Sequence, residues 1–227
     1  MSKITIAIDG HSSTGKSTAA KELAKKLSYV YVDTGAMYRA VSFYALTNGM
    51  VNQGVLNDQE LIAHLDQINI NFKLNPETKN ADVYLNGINI EKEIRTLEVS
   101  NIVSKVAEIS EVRFQLVEQQ QEMGKEKGIV MDGRDIASVV FPDAELKVFM
   151  TAAPEIRAKR RYDELLERGD EVNYSEIHKN VLERDRIDSS RADSPLLQTE
   201  DALLLDTSDL SRSEQLDQLV RWAKERM

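Results

Sequence analysis

The chain of 227 residues contains no cysteine, which excludes a disulfide framework and any thiolate metal site. No apolar run approaches the roughly 18 residues that a membrane-spanning helix needs. Basic charge is in deficit, with 29 Lys and Arg against 38 Asp and Glu, a net charge of −9, and this weighs against broad nucleic-acid binding. Met1-Ser2-Lys3 leads at once into a strand-like segment, so no signal peptide is expected and a cytoplasmic protein is the simplest reading. The three histidines, His11, His64 and His178, lack metal-ligand spacing. No internal repeat, coiled-coil heptad or broad apolar stripe stands out, so a monomer is expected. What remains is 41% apolar and 30% charged, an ordinary globular composition long enough to bury a substantial core.

Strand patterns recur at 3–9, 30–32, 128–132, 146–150 and 202–205. Helical patterns lie between and after them, at 18–27, 37–48, 99–125, 154–168, 175–186 and 211–226. Such alternation predicts a five-stranded parallel sheet flanked by helices. The last helix opens on Ser211 with Glu214 three residues on, a capping-box pattern. One stretch breaks the alternation. Segments 68–74, 82–85 and 88–90 read as strands, with Asn86-Gly87 marking a hairpin, so a small antiparallel sheet is predicted as an insertion before the helix at 99.

The densest chemistry is the run Gly10-His11-Ser12-Ser13-Thr14-Gly15-Lys16-Ser17, between the strand pattern Ile4-Thr5-Ile6-Ala7-Ile8 and a helix that begins near Thr18. Strand, glycine loop and helix in this order form a phosphate-binding loop. Its backbone N–H groups converge on phosphate oxygens. The helix N-terminus adds its dipole. Lys16 reaches for the β- and γ-phosphates and Ser17 offers a hydroxyl to Mg²⁺. Residues 10–18, Thr18 included, are therefore the predicted ATP site. No Asn-Lys-x-Asp follows the loop, which disfavours a GTPase switch.

Ligands of parallel sheets bind beyond the carboxyl ends of the strands, and two further segments end there. Asp33-Thr34-Gly35-Ala36-Met37-Tyr38-Arg39 opens a helix, with Arg39 placed to hold a second phosphate. An isolated arginine on a helix is ordinarily solvated; the strand–helix junction and Gly35 favour a ligand role here. Ile129-Val130-Met131-Asp132 carries an acidic strand end suited to Mg²⁺ through water, and Arg134 and Asp135 extend past it. Further on, Arg157, Arg160 and Arg161 share a helix face behind Pro154. Arg184, Asp188 and Arg191 follow. Three arginines on one face, in a chain that must meet polyphosphate, predict a mobile lid over the transferring group.

Taken together, 33–39, Glu93-Ile94-Arg95-Thr96, Asp132-Gly133-Arg134-Asp135, 139–144 and the Arg-Asp-x-x-Asp-Ser-x-Arg run at 184–191 resemble the bacterial cytidylate kinases over essentially the whole chain. The resemblance implies a single phosphate-loop NTPase domain of three layers. Its core would be 1–35, 126–153 and 171–227, its monophosphate-binding insertion 36–125, with the small sheet, and its helical lid 154–170. It implies transfer of the ATP γ-phosphoryl group to CMP or dCMP with Mg²⁺, the metal served by Ser17 and, through water, Asp132. It assigns Thr34, Arg39 and Arg134 to the monophosphate and Ser104, Arg113 and Asp135 to cytosine. It assigns Arg184, Asp188 and Arg191 to sugar and phosphate. Lys16, Arg134, Arg157, Arg161 and Arg184 are the expected catalytic cations. Thr34 stands where relatives often carry serine and keeps the hydroxyl; Ser17-Thr18 offers two hydroxyls to the metal.

The residues alone leave rivals. Another small-acceptor kinase acting on UMP, AMP or shikimate shares the architecture, and an acceptor panel separates it. A nucleotide-dependent switch protein would have no use for a second set of phosphate-binding arginines. No nucleic-acid or membrane partner is expected.

Overall fold

The computed structural model describes residues 2–75 and 81–227. In chain order the elements are β1 (Thr5–Gly10), α1 (Lys16–Leu27), β2 (Val30–Asp33), α2 (Thr34–Thr47), β3 (Val51–Asn52), β4 (Val55–Leu56), α3 (Asp58–Ala63), β5 (Ile70–Leu74), β6 (Ala81–Leu85), β7 (Ile88–Asn89), α4 (Leu97–Val106), α5 (Ser110–Met123), β8 (Ile129–Gly133), β9 (Leu146–Thr151), α6 (Pro154–Glu167), α7 (Tyr174–Ser190), β10 (Leu203–Asp206) and α8 (Arg212–Lys224). They fall into two compact units: one runs to Val32 and resumes at Gln121, the other is Asp33–Gln120.

The first unit is built on a five-stranded sheet in the order β10-β9-β1-β8-β2. The central strand β1 pairs in parallel with β8, Thr5 opposite Ile129, and with β9, Ile6 opposite Leu146. A strand with parallel neighbours on both sides has both faces covered, so it reads as an unbroken apolar run; Ile6, Ala7 and Ile8 are fully buried. One face carries Ile6, Ile8, Val130, Val148 and Met150 against Ala20 and Leu23 of α1 and Leu219 and Ala223 of α8. The capping box predicted for α8 is present, Ser211 accepting from the Glu214 N–H and Glu214 accepting from the Ser211 N–H. Helices α6 and α7 pack on each other, and α7 runs four residues past its predicted end, to Ser190. Arg184, Asp185 and Asp188 therefore stand on a helix, with Arg191 as its C-cap residue.

The second unit has its own core, in which Met37, Val41, Leu61, Val83, Ile94 and Leu116 are buried together. Its three-stranded antiparallel sheet, β5-β6-β7, is the predicted insertion. Asn86 and Gly87 both take positive φ, 49° and 85°, as a two-residue hairpin turn of matching twist requires. A second, unpredicted hairpin joins β3 to β4 through Gln53-Gly54 at φ 49° and 77°. Glutamine is an unusual first residue for such a turn, which is why the sequence concealed it.

The predicted single helix over 99–125 is a correction: it is two helices, α4 and α5, broken at 107–109. No glycine or proline marks the break. The Arg113 guanidinium, buried to 4% exposure, donates from Nη1 to the Ala107 carbonyl at 3.2 Å. A buried guanidinium needs acceptors, and a helix end supplies carbonyls that a continuous helix would have used internally.

Candidate active site

In the first unit the loop between β1 and α1 is built by glycine. Gly10 sits at φ +139°, and a Cβ there would lie 1.9 Å from the Met150 carbonyl oxygen, so no other residue fits. Gly15, at φ +94°, is the N-cap residue of α1, with no side-chain hydrogen bond to the helix N-terminus. The contrast is with α2, α3, α4, α7 and α8, whose first turns are capped by Asp33, Asn57, Thr96, Asn173 and Ser211. The leading N–H groups of α1 are thus left to an external acceptor, the condition for an anion site.

Lys16 folds back under this loop. Its Nζ donates to the His11 carbonyl and lies 3.5 Å from Thr14 Oγ1, and the residue is 5% exposed. Burial drives its pKa well below the usual lysine value, Arg134 and Arg184 push the same way, and Asp132 and Asp9 resist. The ammonium is held where it lacks full compensation, and a polyphosphate would supply it. His11 packs edge-on against Phe149 with ring centroids 5.9 Å apart. Burial, aided by Arg157, Arg134 and Lys16 and opposed by Asp185, lowers its pKa. It is a packing residue of the loop.

Ser17 lies at the exposed start of α1, and its Oγ donates to Asp132 Oδ2 at 2.9 Å. Tyr31 donates to the other oxygen, Asp132 Oδ1, also at 2.9 Å. Two hard oxygen donors beside a phosphate loop suit Mg²⁺, which binds through few protein ligands and keeps its waters.

Two of the arginines expected in a lid are bound to the loop instead. Arg157, 2% exposed, grips Asp185 in a bidentate pair, 2.9 Å from Nη1 to Oδ1 and 2.6 Å from Nη2 to Oδ2. The same guanidinium donates to the carbonyls of Ser12 at 3.3 Å and Ala152 at 2.8 Å. Arg160 donates to the Thr14 carbonyl at 3.3 Å and to Thr207 through Oγ1 at 3.0 Å and O at 2.6 Å. Arg161, half-buried, donates from Nη1 to Glu164 at 2.9 Å. Carbonyls that point away from a ligand, held by cations behind the loop, aim the N–H groups of Ser13 and Gly15 the opposite way, since each peptide unit is rigid.

Beyond β8, Arg134 donates from Nε to Asp188 Oδ2 at 2.8 Å and from Nη1 to the Gly133 carbonyl at 3.2 Å. Burial opposes the charge on Arg134, but Asp188 more than offsets it and raises the pKa. Burial likewise pushes Asp188 up, and Arg134 and Arg184 pull it below the usual carboxylate range. The Arg191 Nε donates to the Ser194 carbonyl at 2.7 Å. Arg134, Arg184, Asp188 and Arg191 are thereby drawn into one charged group by α7 and its C-cap. Asp135 is buried and heads a five-residue π-helical turn, Ile136–Val140. Asp9, which sequence reasoning passed over, accepts from the N–H groups of Ile136 at 2.9 Å and Ala137 at 2.7 Å. Burial pushes the Asp9 carboxyl up to about 7, against the pull of those two N–H groups.

In the second unit Asp33 caps α2, accepting from the Ala36 N–H at 2.9 Å, and pairs with Arg39 at 2.8 Å. Arg95 joins the same carboxylate at 3.5 Å and is itself held by Glu91 at 2.6 Å. Burial would raise the pKa of Asp33; Arg39 and Arg95 outweigh it and bring it below the usual value. Thr34, Ser104 and Arg113 are buried, and the Arg113 guanidinium lies 5.7 Å from the centroid of the Tyr38 ring. The residues missed from the sequence are Asp9, Asp33, Arg95, Asp185 and Thr207. An acid ending an otherwise apolar strand was a readable signal for Asp9; Asp185 and Thr207 carried none, because their partners are remote in the chain.

The chain also compares closely with known proteins. The family model described as cytidylate kinase matches residues 6–225. The cytidylate kinase of Flavobacterium johnsoniae is 61% identical over 215 residues, 95% of this chain and 94% of that protein. That of Parabacteroides distasonis is 58% identical over 95% of this chain and 94% of its own, and that of Bacteroides thetaiotaomicron 56% identical over 99% and 96%. Among solved structures, an uncharacterized protein from Eubacterium ventriosum superposes with a TM-score of 0.54 at 10% identity, covering 99% of this chain and 100% of that one, a likeness of fold alone. With the family match spanning residues 6–225 of 227, the chain belongs to the cytidylate kinase family.

Proposed function

We propose that this chain transfers the γ-phosphoryl group of ATP to CMP and dCMP, giving CDP or dCDP and ADP. The observation that carries the reading is a second group of charges outside the phosphate loop, in which the half-buried Arg134 pairs with the buried Asp188 at 2.8 Å and Arg184 and Arg191 stand beside that carboxylate. ATP hydrolysis or a conformational switch has no use for it; a phosphorylated acceptor does. The loop residues 10–18 take the donor. In the second unit Thr34 and Arg39 are assigned to the acceptor phosphate and Ser104 and Arg113 to the base. In the first, Arg134 serves the phosphate, Asp135 the base, and Arg184, Asp188 and Arg191 the sugar and phosphate.

The chemistry needs placement and neutralisation rather than a strong base, because the attacking oxygen belongs to an anionic phosphate. Lys16, Arg134 and Arg184 supply positive charge where the transferring group gains negative charge. Arg157 acts from behind, by holding the loop, and Arg161, on the same helix, is assigned to the transferring group as a further cation. Ser17, with Asp132 through water, would hold Mg²⁺, which when bound neutralises charge on the β- and γ-phosphates. Cytosine presents an amino donor where uracil presents an acceptor oxygen. An ionised Asp135 accepts from the first and faces a lone pair on the second, so UMP leaves a buried polar group unpaired. Among the described residues no helix is long and apolar enough to cross a membrane; the reading places the protein in the cytoplasm as a monomer on small-molecule substrates.

The test is label transfer: ATP carrying a labelled γ-phosphate is incubated with CMP, and the products are separated. Label in the terminal phosphate of CDP supports the reading, and label only in inorganic phosphate sinks it. Two variants probe the acceptor residues. Arg39→Ala is expected to raise the KM for CMP about tenfold, the loss of one charge-assisted contact, with the KM for ATP unmoved; equal changes in both would remove Arg39 from the acceptor. Asp135→Ala is expected to shrink the CMP-over-UMP ratio of kcat/KM about tenfold or more, and a ratio equal to the parent's would place base reading elsewhere.

A further inference from the structure

We propose that Asp9 is a positioning residue for acceptor recognition: its carboxylate holds the turn that presents Arg134 and Asp135, and so ties base reading to the phosphate loop. The inference rests on the CMP kinase reading and extends it to a residue outside the binding set.

The geometry is specific. Asp135 is the N-cap residue of the Ile136–Val140 turn, yet its side chain makes no cap hydrogen bond to that turn. An aspartate in this position ordinarily spends its carboxylate on the N–H groups of its own first turn. Here Asp9 does it instead, each of its oxygens taking one of the two consecutive N–H groups, Ile136 and Ala137. The cap is thus supplied from 127 residues away. The main chain at Asp135 lies at φ −145° and ψ 23°, outside both the strand and helix regions.

The other side of Asp9 is the donor site. It is the last residue before Gly10, whose φ of +139° and contact with Met150 leave no slack. Asp9 itself is 2% exposed. The groups that face it are the Ile136 and Ala137 N–H groups, the Asp135 carboxylate and the Lys16 ammonium. A shift of the phosphate loop at Gly10 therefore reaches the acceptor-reading turn through one rigid side chain with two bonds.

Asp9→Asn in the full chain is the test. Asparagine keeps the volume and one acceptor oxygen but turns an amide donor toward the other N–H, so one of the two bonds is lost. The expected result is a CMP-over-UMP ratio of kcat/KM reduced about tenfold, since a charge-assisted bond is involved, with the KM for ATP within about twofold of the parent. In the Asp135→Ala background the same change should leave the ratio where it stands, because Asp9 acts through Asp135. A lowered kcat with an unchanged ratio would assign Asp9 a merely structural role and overturn the inference. If the wild type itself fails to use CMP, it is the functional reading that falls; if the wild type uses CMP and the variant keeps its selectivity, this inference falls alone. Should Asp9→Asn not fold, amide exchange on the wild type decides. A non-hydrolysable ATP analogue, bound without acceptor, is expected to slow exchange at Ile136 and Ala137, and unaltered exchange there would refute the coupling.

Discussion

Replacing Lys16 with methionine is expected to lower kcat by about a thousandfold, the scale seen when a preorganised charge is removed from a transition state. The melting temperature should hold or rise. Lys16 is buried under the loop, donates to the His11 carbonyl and has its pKa driven far down by burial and by Arg134. Without phosphate it is a charge that the fold tolerates rather than needs. Methionine retains the length and apolar stem while removing that charge, and removing an undercompensated buried charge does not destabilise. Activity and stability are thus predicted to part company. Near-normal turnover would take Lys16 out of the transition state, and a collapse in melting temperature would mean the ammonium is a structural strut.

Arg157→Ala is predicted to behave in the opposite way. It deletes a bidentate pair with Asp185 and two further bonds to the carbonyls of Ser12 and Ala152. Breaking one partner of a buried ion pair costs about 3 kcal/mol or more, because the other is left behind. For a chain of this size that corresponds to a fall of about 9 °C in melting temperature, which a thermal melt will register. Turnover should drop as well, through a rise in the KM for ATP as the loop loses its brace. A variant with the parent's melting temperature and a severely reduced kcat would restore the reading suggested by the sequence, in which Arg157 is a mobile cation closing on the phosphoryl group.

The contrast between these two residues shows what could be read in advance. Lys16 was legible because strand, glycine loop and helix follow one another without interruption, and the chemistry of the loop is local. The small sheet was legible for the same reason: Asn86-Gly87 dictates its turn. So was the end of β8, where an apolar run stops at Asp132. Arg157 was legible as a cation near the chemistry but not as one bound to Asp185, since pairing between α6 and α7 depends on how two helices dock. The break between α4 and α5 was hidden because it is stabilised by a buried arginine rather than marked by glycine or proline. Asp9 was readable as an acid ending an apolar strand, but its role was not. It caps a turn 127 residues away, and no periodicity or spacing connects the two.

The central claim is tested most directly by ADP release from ATP and Mg²⁺ with CMP, dCMP, UMP, AMP, GMP and shikimate as alternative acceptors. The account predicts fast release with CMP and dCMP, weak release with UMP and little with the rest. Preference for a different acceptor would contradict the assignment of Ser104, Arg113 and Asp135 to cytosine, and ADP release that ignores every acceptor would contradict the kinase itself.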